Sequence, residues 1–399
     1  MGLDKKYNGY KSYAYLEKDT EYKVFRLARE IDRVDSYLVP LSPSDEERVK
    51  RIVAENPIIS LHDHPHVFPE DITEVITYSS QGRMVTAYEA LSRSCLDCVF
   101  DNLMDGGCHI TSKSGWKWTD VLYDLGMRLS DIHHQDFVTV ALKVDDILRA
   151  HREGRVTLVM CLEGATPIEN ELERIEILYG LGIRLMGLVY NDSNALGTGL
   201  REDKDGGLTH FGRLCVERMN KLGMAIDVAH CSDQTILDTV MASRKPVIDS
   251  HVGARALYDI KRLKADHVLQ AIADKGGLIG IEAAPHTTLT KSHPEHDIES
   301  VMEHFEYIKN LVGIEHVGFG PDTIYGDHVG LHRVYSSTLS MKEVFASFEG
   351  EVSYVRGLEN PTEASWNIVR WLVKRGYSDK DIANVIGGNA IRFLRDVWH

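Results

Sequence analysis

Histidine and carboxylate side chains end several short apolar runs of this 399-residue sequence. The run MAIDVAH ends on a histidine, PVIDSH does the same further along, and TLVMCLEG carries a glutamate next to its end. Histidine nitrogens and carboxylate oxygens suit zinc and similar divalent metals rather than magnesium or copper(I). The candidate metal ligands at these ends are His62, His64, Glu163, His230, His251 and Asp322.

Each of these residues on its own also has a structural explanation. A histidine at the end of a strand is often a packing residue, and Asp322 can cap a following helix. Their shared position on separate runs instead favours one metal site. Six ligands are too many for one tetrahedral ion. They predict two zinc ions about 3.5 Å apart that share a bridging carboxylate and a bridging hydroxide, a pair that activates water and polarises a substrate carbonyl.

The apolar runs are predicted as buried strands because they are short and alternate with amphipathic helical segments. This alternation predicts an α/β fold with a parallel sheet, here a (β/α)8 TIM barrel. All strand ends of such a barrel face one rim, where active sites of this fold lie. Seven strands are predicted, at 57–62, 157–164, 184–191, 224–230, 246–251, 276–284 and 316–322. The eighth is expected either in 335–358 or in 65–150.

Two regions are predicted along the chain. Residues 1–56 form an N-terminal helical extension, in which SPSDEERVKRIVAEN is a helix with Ser42 or Ser44 as its cap and acidic residues in its first turn. Residues 57–399 form the barrel. A segment of about 65–125, directly after the first strand, is predicted as a long insertion that shapes the pocket.

The composition excludes several classes of partner. The formal net charge of −15 argues against binding to nucleic acid or to an anionic membrane surface. The polar N-terminal residues and the lack of an apolar run of membrane length predict neither a signal peptide nor a membrane span, so a cytoplasmic location is expected. The six cysteines have no framework spacing and are predicted to be reduced thiols.

From about Pro57 to its C-terminus the sequence resembles the membrane (renal) dipeptidase family, peptidase family M19 of the amidohydrolase superfamily. The resemblance rests on LEGA, YNDSNALGTGL, DGGLTHFGRLCVERMNKLGMAIDVAHCSD, DSHVGARALYDIKRL, VGIEHVGFGPD and GYSDKDIANVIGGNAIRFLRDVW. It implies a (β/α)8 barrel with a dinuclear zinc centre that hydrolyses dipeptides, including some with a D-residue on the C-terminal side. Relatives are commonly dimers, so a homo-oligomer is expected.

The resemblance also implies a role for each candidate residue. One ion would be held by His62, His64 and Asp322, the other by His230 and His251, with Glu163 bridging the two. Asp322 would also carry a proton from the attacking water to the leaving amine. Arg262 lies where the family places a guanidinium for the substrate carboxylate, a task that suits a planar fork of donors. The alternative is that Arg262, in the basic run KRLK, is an ordinary surface arginine.

Two residues depart from the family pattern. The first motif of the family is usually His-x-Asp, whereas this chain has His62-x-His64, which keeps a ligand but changes the charge at that metal. The family commonly carries a histidine after the third predicted strand, where this chain has Tyr190 in LVYN. A phenol hydroxyl can donate a hydrogen bond to an oxyanion. Tyr190 is therefore expected to contact the substrate and to take part in catalysis.

The predicted function is that of a dinuclear zinc-dependent hydrolase, which cleaves the amide bond of a dipeptide or a similar small N-acyl amino acid with a metal-activated hydroxide. Two alternatives stay open. The same metal chemistry can act on a non-peptide substrate such as a cyclic amide or ester. The chain can also be a non-catalytic barrel that only binds metal, although the full set of six ligands argues against this.

Overall fold

The computed structural model of the protein describes residues 5–103, 116–338 and 352–398. Its strands belong to one predominantly parallel sheet. The strands are β1 (Ile59–Val67), β2 (Val85–Thr86), β3 (Cys98–Leu103), β4 (Val138–Val140), β5 (Val156–Leu162), β6 (Ile183–Gly187), β7 (Ala225–Asp227), β8 (Ile248–Val252), β9 (Leu278–Ile281), β10 (Val317–Phe319) and β11 (Thr323–Tyr325).

The sheet curls round to meet itself. Its strand order is β10-β9-β8-β7-β6-β5-β3-β1-β11, while β2 and β4 pair with β1 and β5 beside this path. The two end strands, β10 and β11, are separated only by residues 320–322, and the Asp322 backbone N–H donates to the His62 carbonyl at 2.9 Å. With β10 and β11 counted as one interrupted strand, eight parallel strands form the predicted α/β barrel architecture.

The eighth strand lies inside the segment that the sequence favoured as an insertion. This strand is β3, which pairs in parallel with β1 on one side and with β5 on the other. All six of its residues are buried, although Asp101 and Asn102 interrupt its apolar pattern. Residues 104–115 of the same segment lie outside the described residues.

Helices follow most strands and cover the outside of the sheet. They are α1 (Pro43–Glu55), α2 (Val75–Gln81), α3 (Tyr88–Arg93), α4 (Trp118–Ile132), α5 (Val144–Glu153), α6 (Arg174–Gly180), α7 (His210–Leu222), α8 (Asp233–Ala242), α9 (Asp266–Asp274), α10 (Ile298–Val312), α11 (His328–Thr338), α12 (Pro361–Lys374), α13 (Asp379–Ala383) and α14 (Asn389–Val397). Among the described residues, no helix combines the length and apolar character needed to cross a membrane.

The predicted cap is present at the start of α1, and a glycine ends α7. The Ser42 hydroxyl accepts a hydrogen bond from the Asp45 N–H at the start of α1, where it satisfies a backbone donor that has no partner within the helix. Helix α7 ends at Gly223, whose left-handed φ of 73° suits glycine because it has no Cβ. Of the predicted N-terminal helical extension, only α1 is helical among the described residues, and residues 5–42 run as turns and extended chain.

The interior of the barrel is apolar at the amino ends of the strands. Inward-facing residues such as Leu61, Phe100 and Val159 pack there with Phe393 and Leu394 of α14. This packing closes the amino end of the barrel, because the apolar side chains exclude water there. Burial of their apolar surface also stabilises the fold by about 25 cal/mol per Å². The polar residues therefore collect at the opposite, carboxyl end.

Candidate metal centre

All six predicted ligands meet at the carboxyl ends of the strands. His62 and His64 lie on β1, Glu163 directly follows β5, and His251 lies on β8. His230 comes three residues after β7 ends at Asp227, and Asp322 stands between β10 and β11. Two groups of three residues offer ligand atoms for a metal ion, and His62 belongs to both groups. Within each group, the three ligand atoms all lie within 4.8 Å of one another. These groups are His62, Glu163 and His251, and His62, His64 and Asp322.

Glu163 lies at the centre of the cluster. Its Oε1 is 3.0 Å from His230 Nε2, 3.5 Å from His62 Nε2 and 3.6 Å from His251 Nε2. Its other oxygen, Oε2, is 4.0 Å from His64 Nε2. A Cβ atom at Gly187 would lie 2.0 Å from the Glu163 carbonyl oxygen, so glycine at this point allows β6 to approach the glutamate closely.

Asp322 faces the histidines of β1. Its Oδ1 is 3.1 Å from His64 Nε2 and 3.7 Å from His62 Nε2. The Asp322 side chain is 15% exposed, whereas His62, His64 and Glu163 are almost completely buried. Asp322 is thus the carboxylate of this cluster that a molecule in the barrel mouth can reach.

The four imidazoles are oriented by acceptors on their Nδ1 atoms. His64 Nδ1 lies 2.9 Å from the Asn102 carbonyl oxygen, and His230 Nδ1 lies 2.8 Å from Asn191 Oδ1. The Ser250 hydroxyl lies 3.1 Å from His62 Nδ1 and 2.8 Å from His251 Nδ1. Because these partners accept, each Nδ1 carries a ring hydrogen, so in the neutral form of each imidazole Nε2 presents a lone pair to the centre of the cluster.

This arrangement fits a bound cation. His230 Nε2 and His251 Nε2 are 3.0 Å apart, and with both ring hydrogens on Nδ1 their lone pairs face each other. Buried lone pairs at this distance repel unless a positive charge lies beside them, and neutral imidazole with carboxylate is the donor set of zinc. His62 Nε2 and Glu163 Oε2 are also buried without a hydrogen-bond partner among the described residues.

The protonation of the cluster follows from its burial. Burial, together with neighbouring histidines and Arg262, lowers the pKa of His62, His230 and His251 well below the ordinary value, which keeps these rings neutral. For His64 burial also acts downward, but the hydrogen bond to Asp322 and the charge of Glu163 outweigh it and raise the pKa to about 9. Burial raises the pKa of Glu163 to about 8. Neutral imidazole is the metal-binding form of histidine.

Three residues of the rim have left-handed backbone conformations. They are Asn191, His230 and Asp322, with φ values of 57°, 62° and 59°. Non-glycine residues rarely adopt positive φ, and such strain concentrates where a structure fixes functional side chains. Two of the three are candidate ligands, and the third orients one of them.

Tyr190 and Arg262 both lie beside the cluster. The Tyr190 ring centroid is 4.4 Å from that of His230, and the tyrosine is partly exposed. Arg262 is buried rather than on the surface: its Nη2 donates to the His251 carbonyl at 2.8 Å and lies 2.6 Å from Glu282 Oε2. The alternative that Arg262 is an ordinary surface residue is therefore wrong. Its guanidinium, however, already has an internal carboxylate beside it.

The sequence analysis missed four residues that support the cluster. Glu282 directly follows β9, just as Glu163 directly follows β5. Its charge within the otherwise apolar run GGLIGIEAA was the signal that could have identified it. Asn191, Asp227 and Ser250 hold the histidines, but nothing in their local sequence distinguishes them from polar residues at ordinary strand ends.

Sequence and structure comparisons relate this chain to known proteins. The sequence profile described as membrane dipeptidase (peptidase family M19) matches residues 46–343. Dipeptidase tcpJ of Claviceps purpurea is 30% identical over 277 residues, which are 69% of this chain and 58% of that protein. Dipeptidase verJ of Clonostachys rogersoniana is 26% identical over 367 residues, 87% of this chain and 86% of that protein.

A solved structure shows the same fold over most of its length. The crystal structure of an amidohydrolase from Pseudomonas aeruginosa superposes with a TM-score of 0.72 at 25% identity, covering 90% of this chain and 99% of that one. The chain spans little more than half the length of tcpJ. Because the family profile matches most of the sequence, the chain belongs to the membrane dipeptidase family, peptidase family M19.

Proposed function

We propose that the protein is a hydrolase that uses two zinc ions to cleave the amide bond of a dipeptide or a similarly small N-acyl amino acid. The observation that carries this proposal is the common orientation of four imidazoles, each with an acceptor on Nδ1 and each with Nε2 within 4.0 Å of Glu163. Such oriented histidines with carboxylate partners are typical of metal sites rather than of packing.

Two ions would be held by two sets of ligands, as the family resemblance implies. His62, His64 and Asp322 form one group, and His230 and His251 form the other, with Glu163 within reach of both. When bound, the ions supply an activated water molecule and polarise the scissile carbonyl. Five of the six side chains, all except Asp322, are buried, which limits competition from bulk water.

The remaining steps belong to side chains at the mouth of the barrel. Asp322 is partly exposed, so its Oδ atoms can accept a proton from the attacking water and return it to the leaving amine. Tyr190, beside His230, can donate its hydroxyl hydrogen to the oxygen on which negative charge develops. Arg262, whose Nη2 donates to the His251 carbonyl, would orient one end of the substrate through its guanidinium.

The dipeptide substrate is supported by the family and by the relatives that carry the name dipeptidase. A non-peptide substrate such as a cyclic amide or ester is the second candidate. The close approach of Arg262 to Glu282 favours it, because such substrates carry no free carboxylate for a guanidinium to bind. A barrel that only binds metal is disfavoured, since both Asp322 and Tyr190 are accessible at its mouth.

The test is hydrolysis of a panel of L,L and L,D dipeptides by protein that has been stripped with a chelator and then reloaded with zinc. We expect amino-acid release only from the reloaded protein, with about two zinc ions per chain at full activity. Turnover of cyclic amides or esters with none of any dipeptide would favour the second candidate. Full activity in the stripped protein would contradict the metal mechanism.

A further inference from the structure

We infer that Glu282 sets the substrate specificity of this site, so that Arg262 receives an uncharged carbonyl group of the substrate rather than a free carboxylate. The inference rests on the proposed function and narrows its substrate class. The site would select dipeptides whose C-terminal carboxylate is blocked, as in a peptide amide or ester, over dipeptides that end in a free carboxylate. The cleaved bond remains the amide between the two residues, and water supplies the hydroxyl and the hydrogen.

The close contact of Arg262 with Glu282 is the first observation. Arg262 is 8% exposed and Glu282 is completely buried, and Nη2 of the arginine lies 2.6 Å from Oε2 of the glutamate. The same Nη2 donates to the His251 carbonyl at 2.8 Å. One edge of the guanidinium is therefore occupied by the protein itself.

Two buried acidic side chains lie near the two buried basic side chains of this segment. Lys264, the second cation of the same segment, is completely buried, and its Nζ donates to the Cys231 carbonyl at 2.7 Å. Asp249 of β8, also completely buried, interacts electrostatically with Lys264 and Arg262. The chain thus supplies two carboxylates, Asp249 and Glu282, for two buried cations.

A free substrate carboxylate would add a negative charge to this neighbourhood. It would approach the guanidinium beside Glu282, whose Oε2 already lies 2.6 Å from the arginine Nη2. Like charges placed side by side at a binding site oppose association and are a common source of selectivity. A neutral carbonyl oxygen accepts a hydrogen bond without this repulsion.

Arg262 retains a donor for such a neutral group. Its Nη1 is buried and has no hydrogen-bond partner among the described residues. An unpaired buried donor is unfavourable, so a carbonyl acceptor from the substrate would be stabilised there. Glu282 is held in place by its backbone, because its N–H donates to the Val252 carbonyl at 3.1 Å.

The experiment compares acids with amides. Zinc-loaded protein is assayed with L-alanyl-L-alanine, L-alanyl-D-alanine and the C-terminal amide of each. We expect the native protein to prefer the amides by about tenfold or more in kcat/KM. We expect E282Q, which removes the competing charge, to shift the amide-to-acid ratio toward the acids by about tenfold. E46Q is the matched control, since Glu46 pairs with Arg370 between α1 and α12, away from the barrel mouth.

A binding measurement separates this inference from the proposed function. The Kd values of uncleavable acid and amide analogues, with the scissile carbonyl reduced to a methylene group, are measured by calorimetry for the native protein and for both variants. The inference is supported if the amide binds more tightly than the acid, and if this amide-to-acid ratio of affinities falls in E282Q but not in E46Q. This support does not require that any peptide is cleaved. The absence of cleavage would then contradict only the proposed function.

Two results would overturn the inference. One is a native protein that binds and cleaves the free acids as well as the amides or better, a comparison that needs no variant to fold. The other is an amide-to-acid ratio that is unchanged in E282Q, given that its zinc content and melting temperature match those of the native protein.

Discussion

The carboxylate of Asp227 accepts the hydroxyl hydrogen of Ser250 at 2.5 Å, and this hydrogen bond decides the tautomers of two candidate metal ligands. Because the hydroxyl has one hydrogen, its oxygen can only accept from His62 Nδ1 and His251 Nδ1. Backbone N–H groups of Ala229 and Ser250 hold the other Asp227 oxygen at 3.0 Å. A single buried carboxylate thus leaves both Nε2 atoms free to bind metal.

Replacement of Ser250 is expected to weaken metal binding. In Ser250→Ala both Nδ1 atoms lose their shared acceptor, and the rings can change tautomer or rotate. Loss of such a supporting partner typically costs about 10–100-fold in metal affinity. Zinc affinity is measured by competition with a chromophoric chelator. Ser94→Ala is the matched control, because Ser94 is a buried serine that precedes β3 at the opposite end of the barrel. Equal zinc affinities in the two variants would contradict the role of Ser250.

Glu163 is expected to decide how many ions the site holds. Its Oε1 lies within 3.0–3.6 Å of three imidazole nitrogens, and its Oε2 faces His64. An amide in Glu163→Gln has one acceptor oxygen and no charge, so it cannot bridge two cations. We expect zinc to fall from about two ions per chain to about one, with activity lost. Metal analysis after dialysis gives the count, and two retained ions would rule out the bridging role.

Asp322 is expected to affect the rate of the reaction more than substrate binding. Asp322→Asn keeps an oxygen that can face His64 but removes the group that accepts a proton. We expect kcat to fall by about 10²–10⁴-fold with a smaller change in KM, and the limb of the pH–rate profile that reports a general base to disappear. The profile is measured at saturating substrate with zinc content checked. A profile of unchanged shape would assign the proton transfer to another group.

Tyr190 is expected to act through its hydroxyl group. Tyr190→Phe keeps the ring beside His230 and removes the donor, so kcat should fall by about 10²-fold while zinc content stays the same. Tyr307→Phe serves as the control, since the Tyr307 hydroxyl donates to Asp266 on the outer helices. A kcat equal to that of the control variant would remove Tyr190 from catalysis.

The sequence predicted seven of the eight barrel strands because buried parallel strands are short apolar runs. It left β3 open because Asp101 and Asn102 break the apolar pattern of that strand. The buried Asp101 carboxylate is compensated by Arg128 of α4, 2.5 Å away, and by His66 of β1, 3.3 Å away. No local sequence pattern reveals partners that come together only when the chain folds.

The same limit applies to the site. The six candidate ligands were visible because each lies at or near the end of a predicted strand, and the common rim of a barrel brings such ends together. Glu282 also follows a strand, but its role depends on Arg262, which lies in the preceding loop region and reaches it across the rim. The Asp227–Ser250 hydrogen bond likewise joins two neighbouring strands, β7 and β8. Pairings between separate elements are properties of the folded chain, which one sequence does not show.

Removal of Arg128 is expected to destabilise the barrel. Its guanidinium is 4% exposed and contacts the completely buried Asp101, so Arg128→Met leaves a buried carboxylate without its cation. Breaking a buried pair in this way costs about 3–5 kcal/mol in the free energy of unfolding. Arg218→Met removes a more exposed contact with Glu176 and should cost under about 1 kcal/mol. Urea unfolding at pH 7 compares the two variants, and similar losses would contradict the buried-pair explanation.

The loss in Arg128→Met should also depend on pH. In the native protein burial alone would raise the pKa of Asp101, but Arg128 and His66 outweigh it and hold that pKa below its usual range. The stabilisation by Asp101 is then fully present above its unfolded pKa of about 3.9 and does not change between pH 5 and pH 7. In the variant burial leaves the folded pKa above the unfolded value, so stability falls as the pH rises toward that folded pKa. We therefore expect Arg128→Met to lose more unfolding free energy, relative to the native protein, at pH 7 than at pH 5. A loss that grew on acidification would show that the Asp101 carboxylate is not the group left without a partner.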